Sequence, residues 1–208
     1  MKLHSDDFSD GQRLPAQFAA GRPDGGGGAV FSDDVNPHLA WSDVPSGAQS
    51  FVLICHDPDV PSRGDDVNQP GREVPADLPR VDFFHWTMVD LPAATREIPR
   101  GAFSNGFTPK GKPGPATLHG ARHGLNDFTG WFAGDPAMGG QYFGYDGPFP
   151  PFNDAIQHRY VFTLYALSLP KLAVEGAFTG PQVRAAMGPH VIGQASITAT
   201  YTLNPRLL

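Results

Sequence analysis

The 208-residue chain predicts a mainly β fold, and three features of the sequence carry that prediction. Its apolar runs mostly repeat with the two-residue period of strands. Gly and Pro supply 25 and 22 residues, about twice their combined share in an average protein, which calls for many turns. Helix start and stop signals are clear in one stretch only. With 40% hydrophobic and 11% aromatic residues the chain can build a core, and no break in composition divides it, so residues 1–208 are expected to form a single domain.

Taken in order, "SFVLICHD" from Ser50 to Asp57 is a continuous apolar run that ends at Pro58, the pattern of a buried central strand with Asp57 at its end. "RVDFFHWTMVDLP" (80–92) alternates Val81, Phe83, His85, Thr87 and Val89 with Phe84, Trp86, Met88 and Asp90. Both sets are largely apolar, so His85 is expected in a strand covered on both sides. "HRYVFTLYALS" (158–168) sets His158, Tyr160, Phe162 and Leu164 on one face and Arg159, Val161, Thr163 and Tyr165 on the other, which places His158 and Tyr160 together at a strand's start. "TGPQVRAAMGPH" (179–190) reads as a short helix with Thr179 as cap, Pro181 in the first turn and Gly188-Pro189 as stop. "QASITATYTL" (194–203) is the last strand, its threonines alternating with Ala195, Ile197, Ala199 and Tyr201. The polar, aperiodic segments 21–34, 63–79 and 104–124 read as long loops. Gly25 to Gly28 form a flexible loop rather than a phosphate cradle, since no strand precedes them and no Lys-Ser or Lys-Thr follows.

A formal charge of −6 gives no general attraction to nucleic acid or to anionic membranes, so any anion must be held locally, and eight histidines are available to do so. The one cysteine, Cys55, excludes an intrachain disulfide and a Cys-rich zinc site and reads as a small core residue. The opening "MKLHSDDFSDGQRLP" carries no apolar core, and no run approaches the roughly 18 residues of a membrane span, so no membrane insertion and a cytoplasmic location are expected. His119 and His123 have the spacing of a helical metal pair, but the glycines around them oppose a helix, and a surface loop is expected instead. No P-loop, nucleophile elbow or zinc-helix signature is present, which argues against an enzyme, and neither a metal nor another cofactor is expected.

The stretch "HDPDVPSR" (56–63) holds Asp57 and Asp59 stiffly among prolines, as a catalytic dyad, a metal site, a ligand-binding wall or a plain turn. If the strands bearing Asp57, His85 and His158 lie side by side, their polar groups converge on one pocket, and Pro148, Pro150 and Pro151 give it a rigid rim. A carboxylate bonded to a histidine raises its pKa, so a protonated His85 or His158 can hold an oxyanion, for which phosphate is the natural guest.

The segments "LHSDDFSDGQRLP", "NPHLAWSDVPSGAQSFVLICHDPDVPS", "HWTMVDLP", "GLNDF", "YDGPFPP", "HRYVFTLYAL" and "GPHVIGQASITATYTL" run nearly end to end and resemble the phosphatidylethanolamine-binding proteins, in particular their bacterial Raf-kinase-inhibitor-like branch. The most specific elements are D-P-D-x-P from Asp57 to Pro61 and H-R-Y from His158 to Tyr160. The resemblance implies a β-sandwich with a large central antiparallel sheet, a smaller second sheet and a short helix near the C-terminus. It implies an anion pocket at one end of the central sheet for phosphate-bearing groups such as phosphoethanolamine. Carried over, the ligand-binding residues are Asp57, Asp59, His85, Pro150, Pro151, His158 and Tyr160. In this reading His85 and His158 donate to phosphate oxygens, Asp57 orients a histidine or accepts from an ammonium group, and Tyr160 adds a donor or shapes the wall. Arg159 makes a structural ion pair, with Asp59 as a candidate partner.

Two departures bear on that expectation. Where bacterial relatives read P-C-P-P-P-G-H-G, this chain has Pro148 to Ala155 with a bulky Phe152, which puts the rim in question. Loops 63–79 and 129–143 are long, and the second carries exposed-looking Trp131, Phe132, Tyr142 and Phe143, suited to covering the pocket or to a homodimer contact. The resulting expectation is a non-enzymatic binding protein for a small phosphorylated or zwitterionic ligand, acting as an inhibitor or regulator of a kinase or a protease. The alternatives are a hydrolase using Asp57 and a histidine as base and acid, and a protein-binding module with a vestigial pocket. Pro58 and Pro61 are places to look for cis peptide bonds.

Overall fold

The apolar runs pair with one another in a computed structural model that describes residues 1–208. In chain order the strands are β1 (Lys2–His4), β2 (Gly21–Pro23), β3 (Ala29–Phe31), β4 (Leu39–Ser42), β5 (Ser50–Pro61), β6 (Arg80–Pro92), β7 (Glu97–Ile98), β8 (Arg122–His123), β9 (His158–Leu167) and β10 (Val191–Tyr201). The helices are α1 (Phe128–Trp131) and α2 (Gly180–Met187). The large sheet is antiparallel with order β10-β9-β5-β6-β8, and a small one has order β1-β4-β7. The mainly β sandwich expected from the sequence is therefore present.

Strand alternation sorts the side chains of the large sheet onto two faces. Phe51, Leu53 and Cys55 of β5 and Tyr160, Phe162 and Leu164 of β9 point into the main core, against Leu39 and Trp41 of β4 and Ile98 of β7. Val52 and Ile54 point the other way, onto Val183 and Met187 of α2 and onto Leu172 and Phe178. The central strands are thus buried on both sides, which explains their continuous apolar runs. The α2 boundaries follow the sequence signals, with the Thr179 amide donating to Gln182 Oε1 at 2.9 Å and a further 3-10 turn from Gly188 to His190. No helix is long and apolar enough to cross a membrane.

The structure corrects several local readings. β5 does not stop at Pro58 but runs on to Pro61; it leaves β9 after His56 and slips register against β6 between Asp57 and Val60. Proline has no N–H for the ladder, so the strand continues there only with broken pairing. Pro58 and Pro61 are trans, and the one cis peptide is Gly114–Pro115. In β6 the strict alternation fails: Cys55 pairs with Trp86 and His56 with Phe84, so His85 is the extra residue of a bulge. Phe84 consequently joins the helix-side core while Trp86 and Met88 join the main core.

The loop readings also change. Residues 21–34 contain the β2-β3 hairpin, and Gly25 to Gly28 are its tip, where the Asp24 carboxylate accepts the amides of Gly26 and Gly28 at 2.7 and 2.9 Å. Segment 104–124 contains β8, and His123 is not on a surface loop: it is buried edge-on to Phe103, with ring centroids 5.3 Å apart. Burial, with Lys112 nearby, pushes its pKa down to about 4, so it stays a neutral packing residue. Tyr142 and Phe143 are buried too, since the chain after α1 folds back and the Tyr142 hydroxyl donates to the Met138 carbonyl at 2.6 Å.

Leu164 lies fully buried in the main core while Leu118 is about half exposed. Leu164→Ala is expected to cost about 2–5 kcal/mol of unfolding free energy and Leu118→Ala under about 0.5 kcal/mol, measured by urea denaturation.

Candidate ligand-binding site

At the end of the large sheet, where β5 parts from β9, a cavity of about 370 Å³ opens. Asp57 at the break in β5, His158 and Tyr160 at the start of β9 and His85 at the bulge of β6 all reach its lining. The bulge accounts for the last of these, because the extra residue turns the His85 ring to the side already taken by Tyr160, with ring centroids 5.2 Å apart. Phe83, Phe128, Phe132 and Phe149 form aromatic walls above this floor. Phe31 and Trp131, both about half exposed, stand at the mouth, together with the polar Ser62, Arg63 and Asn68.

The floor is organised by one buried ionic chain. His158 Nδ1 donates to Asp57 Oδ2 at 2.7 Å and its Nε2 to Asp154 Oδ2 at 3.1 Å. Asp154 in turn accepts both terminal nitrogens of the Arg80 guanidinium, at 2.6 and 3.1 Å. Burial alone would strip the proton from His158, but the hydrogen bonds and charges of Asp154 and Asp57 outweigh it and raise the pKa to about 9. The ring is therefore an imidazolium with both N–H groups engaged. It cannot donate to a ligand, so the role expected for His158 at the phosphate is corrected to that of a structural clamp.

His85 is the complementary case. Its Nδ1 lies 2.8 Å from the Asp146 carbonyl, which can only accept, so the Nδ1 proton is fixed and Nε2 is left without a protein partner. Burial holds its pKa below the ordinary histidine range, against the opposing charge of Asp57. Asp146 is itself held from behind by Lys112 and by Asn126 Nδ2, at 2.6 Å in the latter case. The Tyr160 hydroxyl is buried with no hydrogen-bond partner, and burial together with Asp57 pushes its pKa well above the usual value.

Asp59 does not reach the cavity. Its oxygens accept from Arg159 Nε and a terminal nitrogen at 2.8 and 2.7 Å, so the expected Arg159 ion pair is present and occupies the carboxylate. Pro150 and Pro151 line the wall as expected. Phe152 does not: it packs against the main core, and Phe149 takes the wall position. Asn153 orders the other wall, accepting the Asn68 amide at 2.9 Å while its Nδ2 donates to the Asp66 carbonyl at 2.8 Å. The reading of the sequence assigned no role to Asp154, Arg80, Asp146 or Asn153. Only Asp154 left a sequence signal, four residues before His158.

A family model described as phosphatidylethanolamine-binding protein matches residues 4–202. The chain belongs to the phosphatidylethanolamine-binding protein family. The UPF0098 protein YbhB of Escherichia coli (strain K12) is 33% identical over 202 residues, covering 97% of this chain and 100% of that protein. A UPF0098 protein of Aquifex aeolicus is 29% identical, covering 97% of this chain and 88% of the relative. The crystal structure of E. coli YbcL, described as a new member of the mammalian family, superposes with a TM-score of 0.68 at 27% identity, with 97% of each chain covered. That of the Chlamydia trachomatis homologue CT736 gives 0.64 at 27% identity, with 96% and 95% covered. Membership of this family points to a binding protein.

The clamp makes stability depend on pH with a definite sign. A histidine whose folded pKa lies above its unfolded value contributes fully below about 6.5 and loses that contribution as pH rises through about 9. The unfolding free energy of the natural protein, relative to that of His158→Gln, should accordingly fall by about 3 kcal/mol over this range in urea titrations.

Proposed function

We propose that the protein is a non-enzymatic binding protein whose cavity takes a small phosphate-bearing or zwitterionic ligand of the phosphoethanolamine type. One observation carries the reading: His85 Nε2, in a buried ring fixed by its other nitrogen, faces a preformed cavity with no protein partner. The ring is buried, but this nitrogen opens onto the cavity, where a ligand can reach it. The aromatic walls suit the organic part of such a ligand, while Ser62, Arg63 and Asn68 at the mouth suit its polar or anionic groups.

The hydrolase alternative loses support from the same geometry. An Asp57–His158 pair working as base and acid needs a nitrogen free to move a proton, and Asp154 closes the second one. A regulator role towards a kinase or a protease would use the exposed aromatics Phe31 and Trp131 beside the mouth as its contact face.

The test is calorimetric titration with inorganic phosphate and O-phosphorylethanolamine at about pH 6 and about pH 8. Binding should be tighter at the lower pH and should weaken by about tenfold or more in His85→Ala, the loss of one hydrogen bond to a charged group. Absence of binding by the natural protein at both values would refute the phosphate reading.

A further inference from the structure

The cavity floor is poor in hydrogen-bond donors. Both N–H groups of His158 are spent on carboxylates. Asp57 offers only acceptor oxygens, one of which already takes the Asp59 amide at 2.8 Å. His85 commits its proton to the Asp146 carbonyl and presents a bare lone pair at Nε2. The Tyr160 hydroxyl is the single floor donor without a partner. An oxyanion with no proton would set a negative oxygen against that lone pair, close to the Asp57 carboxylate. Such a contact is repulsive in a buried site.

We propose that the cavity selects an oxyanion that brings its own proton, a phosphate monoester or inorganic phosphate, over a phosphodiester or sulfate, with that proton held between the ligand oxygen and His85 Nε2. This rests on the reading of the cavity as a phosphate site and narrows its ligand class. A monoester has a second pKa near about 6, so its hydrogen-bearing form is accessible around neutrality. A diester has no such proton, and sulfate carries none in this range. The head group of an intact phospholipid is a diester and falls on the disfavoured side.

The groups facing His85 make the proton balance simple. β5 contributes Asp57, and β9 contributes His158 and Tyr160. The segment behind the ring contributes the Asp146 carbonyl, with the Lys112 ammonium bridging the Asp146 and Asp34 carboxylates. α1 presents only the Phe128 ring, 5.6 Å away. His158 keeps its proton up to about 9, and burial keeps His85 neutral around pH 7. Burial pushes Asp146 up to about 8, so it titrates in the same window, but its carboxyl is held by Lys112 and Asn126 outside the cavity lining. At the cavity itself His85 and the ligand share the one exchangeable proton. Each dianion that binds must therefore take up one proton.

The experiment is calorimetry on the natural protein with inorganic phosphate, O-phosphorylethanolamine, dimethyl phosphate, glycerophosphoethanolamine and sulfate between about pH 6.5 and pH 8.5, in two buffers of different ionisation heat. The association constant for the first two should fall towards tenfold per pH unit above about pH 7, with close to one proton taken up per ligand. The diesters and sulfate should bind at least about tenfold more weakly than phosphate near pH 7. In His85→Gln, where a carboxamide can donate without titrating, proton uptake should vanish and the gap between phosphate and sulfate should narrow. Equal binding of phosphate and sulfate by the natural protein without proton uptake would overturn the selectivity and leave the phosphate site standing. Tighter binding of glycerophosphoethanolamine than of O-phosphorylethanolamine would overturn it in favour of a diester head group. No binding of any of the five probes would remove both readings.

Discussion

Two buried carboxylates, Asp57 and Asp154, can lie on either side of one ring only because that ring, His158, carries a positive charge. The cavity end of the molecule depends on this arrangement. Asp57 ends the regular part of β5, His158 begins β9, and Asp154 belongs to the loop that supplies the proline wall, so one ionic chain joins the two central strands to the rim. Arg80 extends the chain to the start of β6 and also donates to the Asp59 carbonyl at 2.9 Å. With two acids and two bases in alternation the chain is formally neutral. Removing any one member would leave an uncompensated charge in a place that water barely reaches.

The clamp also separates the two histidines chemically. Carboxylates on both nitrogens hold His158 protonated, whereas burial holds His85 neutral, since its single carbonyl partner and the charge of Asp57 are too weak to reverse it. Two imidazoles that look alike in the sequence thus take opposite charge states within one floor. The charged ring is tied on both sides to carboxylates, and the neutral ring faces the cavity. This division follows from the partners of each ring, not from burial, which both share.

The cavity is mostly aromatic above its small polar floor. Phe83, Phe128, Phe132 and Phe149 surround a volume of about 370 Å³ above a small polar floor. Their positions depend on segments with no regular strand pattern: α1 stacks Phe128 on Phe132 at 5.6 Å, and Asn153 ties down the chain that carries Asn68 and Val67. Phe152 packs, partly buried, against the main core, while its neighbours Asn153 and Asp154 are buried and hydrogen-bonded.

The sequence by itself determined the β architecture, the α2 helix and the common face of His158 and Tyr160, because period-two alternation and capping chemistry are local properties that survive in any context. It also brought Asp57, His85 and His158 to one site through the motifs of the family. The tertiary structure decided what each residue does there. The His85 bulge broke the alternation expected for β6, because the extra residue is defined only by pairing with β5. Asp59 was withdrawn by Arg159, and His158 was closed by Asp154 and Asp57 together. Tyr142, Phe143 and His123 were buried by chain segments that carry no periodic signal of their own. A side chain's partners are set by distant segments, and the charge of a histidine follows from those partners, so that part of the chemistry is decided only when the chain has folded.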